Sequence, residues 1–309
     1  MKAPDGLKSS ATLRKKILVR ASVLSLAAAA IVTVAAISVA PGSANAAPGG
    51  VQSIAAGVNN WDCRPAPAHP NPVVMLHGLG ATGAENWSYL APYLADRGFC
   101  VFHLTYGQLS PGSIPGFRPL ADSALEIAGF IQRVLAATGA EEVDLVGHSL
   151  GATLAIYIPK MLDYSAHVGR VVALGPATHG VDEGGKVALV DAAGARPLLD
   201  ALLDAISCGA CSDQITNGPG IRALSTGPIA EPGVEYTVIA SRADEQATPP
   251  SSSFIHEPGV NNLYVQDLCP EDKVGHIGLV FDEGVAAMVA NGLDPANVTP
   301  VQCVLGRPY

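Results

Sequence analysis

A serine hydroxyl becomes a nucleophile only in a particular setting, and Gly147-His148-Ser149-Leu150-Gly151 provides one. The apolar run 143–146 leads into it and the helical-looking run 152–157 leads out. A strand that feeds a helix through so short a turn leaves no room at the flanking positions for anything but glycine. The serine is then held on a strained bend with its Oγ exposed at the strand's C-terminal end. With 33 Gly in 309 residues the bare pattern also fits an ordinary Gly-rich turn. The strand before it and the helix after it make Ser149 the candidate nucleophile.

Such a serine needs a base, and the base needs an orienting acid, in the chain order Ser, acid, His for an elbow of this kind. Two histidines follow the later strands, His256 and His276. His276 falls between the last strand and the closing helix, where it can reach back over the sheet. His256 follows Pro249-Pro250 without that placement. For the acid, the run 236–240 leads into Ser241-Arg242-Ala243-Asp244, which puts Asp244 at a strand end on the same edge. Glu245, Asp267 and Asp272 compete and read as surface carboxylates. The oxyanion formed in acyl transfer needs two donors. Leu150 N–H is one, and Leu79 N–H, in the loop His77-Gly78-Leu79-Gly80, is the other. His77 and His148 read as structural hydrogen-bonders that shape their turns.

The elements that must position these groups alternate. Strands are expected at 73–76, 99–104, 143–146, 171–175, 236–240 and 263–266, each a short apolar run. Helices are expected at 87–97, 121–138 and 280–293, the second with apolar residues on one face and Gly139 after it. Alternation of this kind implies an α/β fold, a mostly parallel central sheet covered by helices on both faces. The segment 178–232 breaks the pattern. It holds a Leu/Ala-rich run, 187–206, then a cysteine pair and a Gly/Pro-rich passage, and reads as a small helical cap insertion.

Residues 1–46 read as a signal peptide. Lys2, Lys8, Arg14, Lys15, Lys16 and Arg20 precede an uncharged stretch, 21–40, and Ala44-Asn45-Ala46 is a cleavage signature. An uncleaved membrane anchor is the competing reading of that stretch. The remaining 47–309 suffice for a single catalytic domain. Of the chain's 18 basic and 27 acidic residues, 12 and 26 lie beyond the leader, a net charge of −14. That surface excludes nucleic acid as a partner and offers nothing to anionic membranes. All six cysteines also lie there. In an exported chain they pair, and sequence proximity suggests Cys63–Cys100, Cys208–Cys211 and Cys269–Cys303 among 15 possible connectivities. Neither a metal site nor a dinucleotide fingerprint is present in the sequence, so no cofactor is expected. Asn86-Trp87-Ser88 and Asn297-Val298-Thr299 are glycosylation sequons.

Taken together, the His77-Gly78-Leu79-Gly80 loop, the Ser149 elbow, the turn 241–245 and Cys269-Pro270 ahead of His276 resemble the secreted actinobacterial class 2 lipases. The resemblance spans about 72–303 and implies the α/β-hydrolase fold. It also implies hydrolysis of carboxylic esters, usually of glycerolipids and occasionally of polyesters, with transient contact at a lipid–water interface and no stable membrane insertion. The 178–232 cap matches least, so acyl-chain preference does not carry over. A thioester, amide or polyester hydrolase and an acyltransferase share the same constellation. A non-catalytic lipid-binding module shares only the scaffold, and Ser, Asp and His in the right order argue against it.

Overall fold

Short apolar runs bounded by Pro and Gly build the sheet. In the computed structural model, which describes residues 57–308, β1 (Val73–Leu76) is buried along its whole length. The expected leader and the start at Ala47 lie outside the described residues. Two short helices follow, α1 (Gly83–Asn86) and α2 (Leu90–Ala95), then β2 (Val101–His103). The helix expected at 87–97 is thus a pair with Trp87 at the joint, because Thr82 and Glu85 form a capping box that starts a turn early. Next come α3 (Leu120–Thr138), β3 (Val143–His148), α4 (Leu150–Met161) and β4 (Val168–Leu174). Gly139 at φ 76° ends α3 in the left-handed conformation.

Between β4 and the next strand run four short helices: α5 (Lys186–Ala192), α6 (Arg196–Ala205), α7 (Gly209–Gln214) and α8 (Pro219–Leu224). Gly194 at φ 66° breaks the 187–206 run into α5 and α6. The chain then forms β5 (Glu235–Ala240), β6 (Asn261–Tyr264), α9 (Val265–Leu268) and α10 (Glu283–Leu293). The last strand stops two residues before the expected end because Asp267 Oδ2 accepts the Tyr264 N–H at 2.8 Å and opens α9.

All strand pairings are parallel and the order is β2-β1-β3-β4-β5-β6. From β1 the chain steps outward to β2, crosses back to β3 and then proceeds the other way. A crevice opens where the order reverses, beyond the C-terminal ends of β1 and β3, and there Leu76 stands in register with Gly147. Each face of the sheet carries its own core. Val74, Leu76 and Leu145 pack under α3 and α4, while Val73, Met75 and Val146 pack under α2 and α10. Among the described residues no helix is long and apolar enough to cross a membrane.

Three disulfides join the pairs expected, Cys63–Cys100, Cys208–Cys211 and Cys269–Cys303. The first and third close loops of 37 and 34 residues. Loops of that size stabilise by about 3–4 kcal/mol each through the unfolded chain.

One core carboxylate works against the fold. Asp144 lies inside β3 at 3% exposure, held by Asn71 Nδ2 at 3.0 Å. Burial pushes its carboxyl up to about 6, only partly offset by Asn71 and Arg170. A raised acid binds its proton more tightly when folded, so the cost of the charge is complete above that value and absent below about 4. Asp144→Asn is therefore expected to stabilise by about 1–3 kcal/mol at pH 8 and by almost nothing at pH 4. Urea unfolding of both chains at the two pH values checks it; an equal or lower midpoint for the variant at pH 8 refutes the argument.

Candidate active site

The elbow between β3 and α4 is built by exclusion. Ser149 sits at φ 55° and ψ −119°, a conformation costly for any side chain and characteristic of functional turns. A Cβ at Gly147 would strike the Gly151 carbonyl, and one at Gly151 would strike the Leu76 carbonyl. Both glycines are thus required for the chain to fold back over β1. Ser149 N–H donates to Leu174 O at 2.9 Å, which anchors the bend to β4.

The structure brings Ser149, His276 and Asp244 into one line. His276 Nε2 lies 2.8 Å from Ser149 Oγ and its Nδ1 lies 2.6 Å from Asp244 Oδ2. Asp244 Oδ1 accepts the N–H groups of Gln246 and Ala247, each at 2.8 Å. Burial pushes the Asp244 carboxyl up, but the His276 hydrogen bond and charge and the two N–H donors outweigh it and hold it below its ordinary range. Ser241 Oγ donates to Val274 O at 2.5 Å, tying the turn that bears the acid to the loop that bears the histidine. The competitors lie elsewhere. His256 and Glu245 are exposed, Asp267 pairs with Arg242 at 2.6 Å, and Asp272 caps its own loop through Val274 and Gly306 N–H.

The loop after β1 seats on the elbow. A Cβ at Gly78 would lie 3.4 Å from Ser149 Cβ, and one at Gly116 would lie 3.4 Å from Leu79 Cα and 2.7 Å from a Leu150 methyl. Leu79 and Leu150 therefore flank the same spot beside the serine. In that loop Gly78, Gly80 and Ala81 donate to Asn86 Oδ1, Pro115 O and Gly78 O. Leu79 N–H has no such partner among the described residues, which leaves it, with Leu150 at the first position of α4, able to donate into the space beside Ser149.

His77 and His148 hold these parts in place. His77 Nδ1 donates to Gly78 O at 2.8 Å and Nε2 accepts the Tyr106 N–H at 3.1 Å, a neutral imidazole with both nitrogens used. Burial lowers it to about 4. His148 Nε2 donates to His276 O at 3.0 Å, and its Nδ1 lies 3.1 Å from the Asn86 amide that also holds Gly78. Burial, then the charge of His276, takes His148 down to about 3, so it too is neutral. Asn86 thereby joins the Leu79 loop to the backbone of His276. The same Oδ1 faces both neighbours, so it accepts from Gly78 N–H but offers no donor to the bare Nδ1 of His148, and the buried Asn86 Nδ2 has no partner among the described residues. At 6% exposure Asn86 also cannot receive a glycan in the folded chain, whereas Asn297 is exposed.

A cavity of about 400 Å³ opens over Ser149. Its apolar wall comes from the inserted helices, where Val190, Leu199, Leu203 and the Cys208–Cys211 bridge cluster against Leu79, Phe117 and Ile215. An apolar cavity with a few polar groups at its base suits a ligand with a hydrocarbon part.

A family model described as the alpha/beta hydrolase family matches residues 73–295. The chain belongs to the alpha/beta hydrolase family. Among solved structures, this α/β-hydrolase is similar to a lipase B from Aspergillus fumigatus at 18% identity and a TM-score of 0.56. That match covers 75% of this chain and 54% of the fungal one, so the chain spans about half the length of that relative. A 2-hydroxy-6-oxo-6-phenylhexa-2,4-dienoate hydrolase from Rhodococcus matches at 18% identity and a TM-score of 0.46, covering 74% and 92% of the two chains. At 18% identity the likeness to the fungal lipase is one of fold.

Sequence reasoning missed three groups in this α/β-hydrolase. Asn86 looked like a glycan acceptor, and only its place in the short α1 turn brings it to His148. Gly116 carries no signal of its own in the sequence. Gly175 at φ 55° ends β4, where a Cβ would lie 3.2 Å from the His276 ring and 3.3 Å from Asp244 Oδ2. A glycine directly after an apolar strand on the elbow's edge was the available signal.

Proposed function

We propose that this protein is a secreted serine esterase or lipase that cleaves carboxylic esters of acylglycerols through Ser149, His276 and Asp244. The observation that carries the reading is the unbroken chain from Asp244 through His276 to Ser149 at the base of an apolar cavity. His276 Nε2 takes the Ser149 proton as Oγ attacks the ester carbonyl. Asp244 holds the imidazole with Nδ1 protonated and stabilises the imidazolium that forms. The N–H groups of Leu79 and Leu150 receive the oxyanion, each worth ~2.7–4 kcal/mol to the transition state. The alcohol leaves with the proton from His276, and water repeats the sequence on the acyl-enzyme. Three disulfides, formed by all six cysteines, accord with an oxidising compartment and so with export.

Hydrolysis of p-nitrophenyl esters from acetate to palmitate tests the reading. A folded protein inert toward the whole series is not an esterase, and turnover that requires an alcohol acceptor makes it an acyltransferase. The same assay probes Asn86. Asn86→Ala is expected to lower kcat about tenfold with a smaller effect on KM, since it loosens two loops that bear reacting groups. An unchanged kcat would mean that the Asn86 bridge does not position the reacting groups.

A further inference from the structure

The cavity over Ser149 is lined mostly by apolar side chains, with a few charged and polar ones among them. On the side of Leu79 and Phe117 the lining is apolar, made by Val190, Leu199 and Leu203. Glu183, Lys186 and Gln246 also line it, together with His276 and the apolar Ile277, Val280 and Phe281, and the charge of His276 acts on Glu183. Glu183 is fixed there by the loop that bears the acid. The flanking Asp182 N–H donates to Thr248 O at 3.0 Å, and Gly184 N–H to Thr248 Oγ1 at 2.8 Å. Thr248 follows Gln246 and Ala247, whose N–H groups hold Asp244.

The turn is also strained. Glu183, Gly184 and Gly185 have φ of 50°, 67° and 90°, three successive left-handed residues of which the first is not glycine. Such strain persists where the surroundings dictate it and clusters at ligand clamps. Among the described residues the carboxylate has no hydrogen bond; its one ion pair is a loose contact with Lys186 Nζ at 4.0 Å. Burial raises Glu183 despite the opposing charges of Lys186 and His276. The Gln246 side chain likewise has no hydrogen-bond partner among the described residues.

The position of these groups decides what they meet. The alcohol half of an ester takes its proton from His276, so it lies on the His276 side of the carbonyl, and the acyl half lies opposite. Building on the ester-hydrolase reading, we propose that Glu183, assisted by Lys186 and Gln246, is a specificity-determining site for the alcohol moiety. It selects esters of one apolar acyl chain with a polyol that keeps free hydroxyl groups, such as a monoacylglycerol, over fully alkylated esters. A carboxylate accepts from two hydroxyls, and a site built to hydrogen-bond a hydroxyl rejects the analogue that lacks it.

The test compares glyceryl monooctanoate with propyl octanoate, which share an acid and differ by two hydroxyls. Each is assayed below its solubility limit on the full protein, E183Q and K186M. Wild type is expected to favour the glyceryl ester in kcat/KM by about tenfold, and E183Q to lower that ratio about fivefold or more. K186M, which removes the partner and leaves the carboxylate, is expected to lower the ratio less. Equal kcat/KM values for the two esters in wild type, or a ratio unmoved in E183Q at unchanged melting temperature, overturns the proposal and leaves ester hydrolysis standing. If wild type cleaves neither ester nor any p-nitrophenyl ester, the ester-hydrolase reading fails and this inference falls with it.

Discussion

Ser149→Ala is expected to reduce kcat toward p-nitrophenyl butyrate by about 10⁴- to 10⁶-fold while leaving the fold intact, as when the nucleophile of such a unit is removed. Two features of the site motivate the size of the effect. The Ser149 side chain has one hydrogen-bond partner, His276 Nε2 at 2.8 Å, so its loss leaves no buried polar atom unpaired except the acceptor Nε2 of the imidazole itself. The bend at φ 55° is imposed by Gly147, Gly151 and the Leu174 carbonyl, and alanine meets the same backbone strain as serine. Turnover and folding therefore separate. A variant that keeps more than about one part in a hundred of wild-type kcat, free of contaminating esterase, would show that another group does the chemistry.

The parts of this site that the sequence revealed are those governed by local rules. A strand run, a glycine-flanked serine and a helix run are contiguous, so the elbow could be read from residues 143–157. Asp244 and His276 were placed by strand ends, because a parallel sheet puts every such end on one edge. The Leu79 loop followed from the same geometry. What stayed hidden depends on contacts between distant segments. Asn86 lies 62 residues from His148 in the chain, in a four-residue helix with no periodic face to announce it. Gly116 matters only because Leu150 and Leu79 converge on it. The run 187–206 is a Leu/Ala-rich stretch of the expected helical cap, and its break at Gly194 shows only as one glycine within it. Glu183 is the sharpest case. Its surroundings are set by Thr248, 65 positions away, and nothing in its neighbours along the chain marks it as part of a cavity wall.

Asp244→Asn is expected to lower kcat by about 10⁴-fold, the size seen when a triad aspartate is made neutral and the histidine is left in the wrong tautomer. Here the local hydrogen bonds dictate that tautomer. Asp244 Oδ1 accepts two backbone N–H groups, from Gln246 and Ala247 at 2.8 Å each, so an asparagine must keep its carbonyl oxygen at that position. Its NH₂ then points along the former Oδ2 direction, at His276 Nδ1 only 2.6 Å from the oxygen it replaces. Nδ1 can avoid a clash of donors only by giving up its proton, which moves to Nε2 and faces Ser149 Oγ. The imidazole can no longer receive the serine proton, although every heavy atom has stayed in place. Asp244→Ala lacks the misdirected NH₂ and frees the imidazole to choose its tautomer, so it is expected to retain more activity than Asp244→Asn in spite of the larger structural change. Steady-state kinetics on the two variants, with the imidazole N–H resonances read by NMR, distinguishes this from simple loss of charge. If alanine is the worse of the two, or asparagine lies within about tenfold of wild type, then orientation and charge outweigh the tautomer.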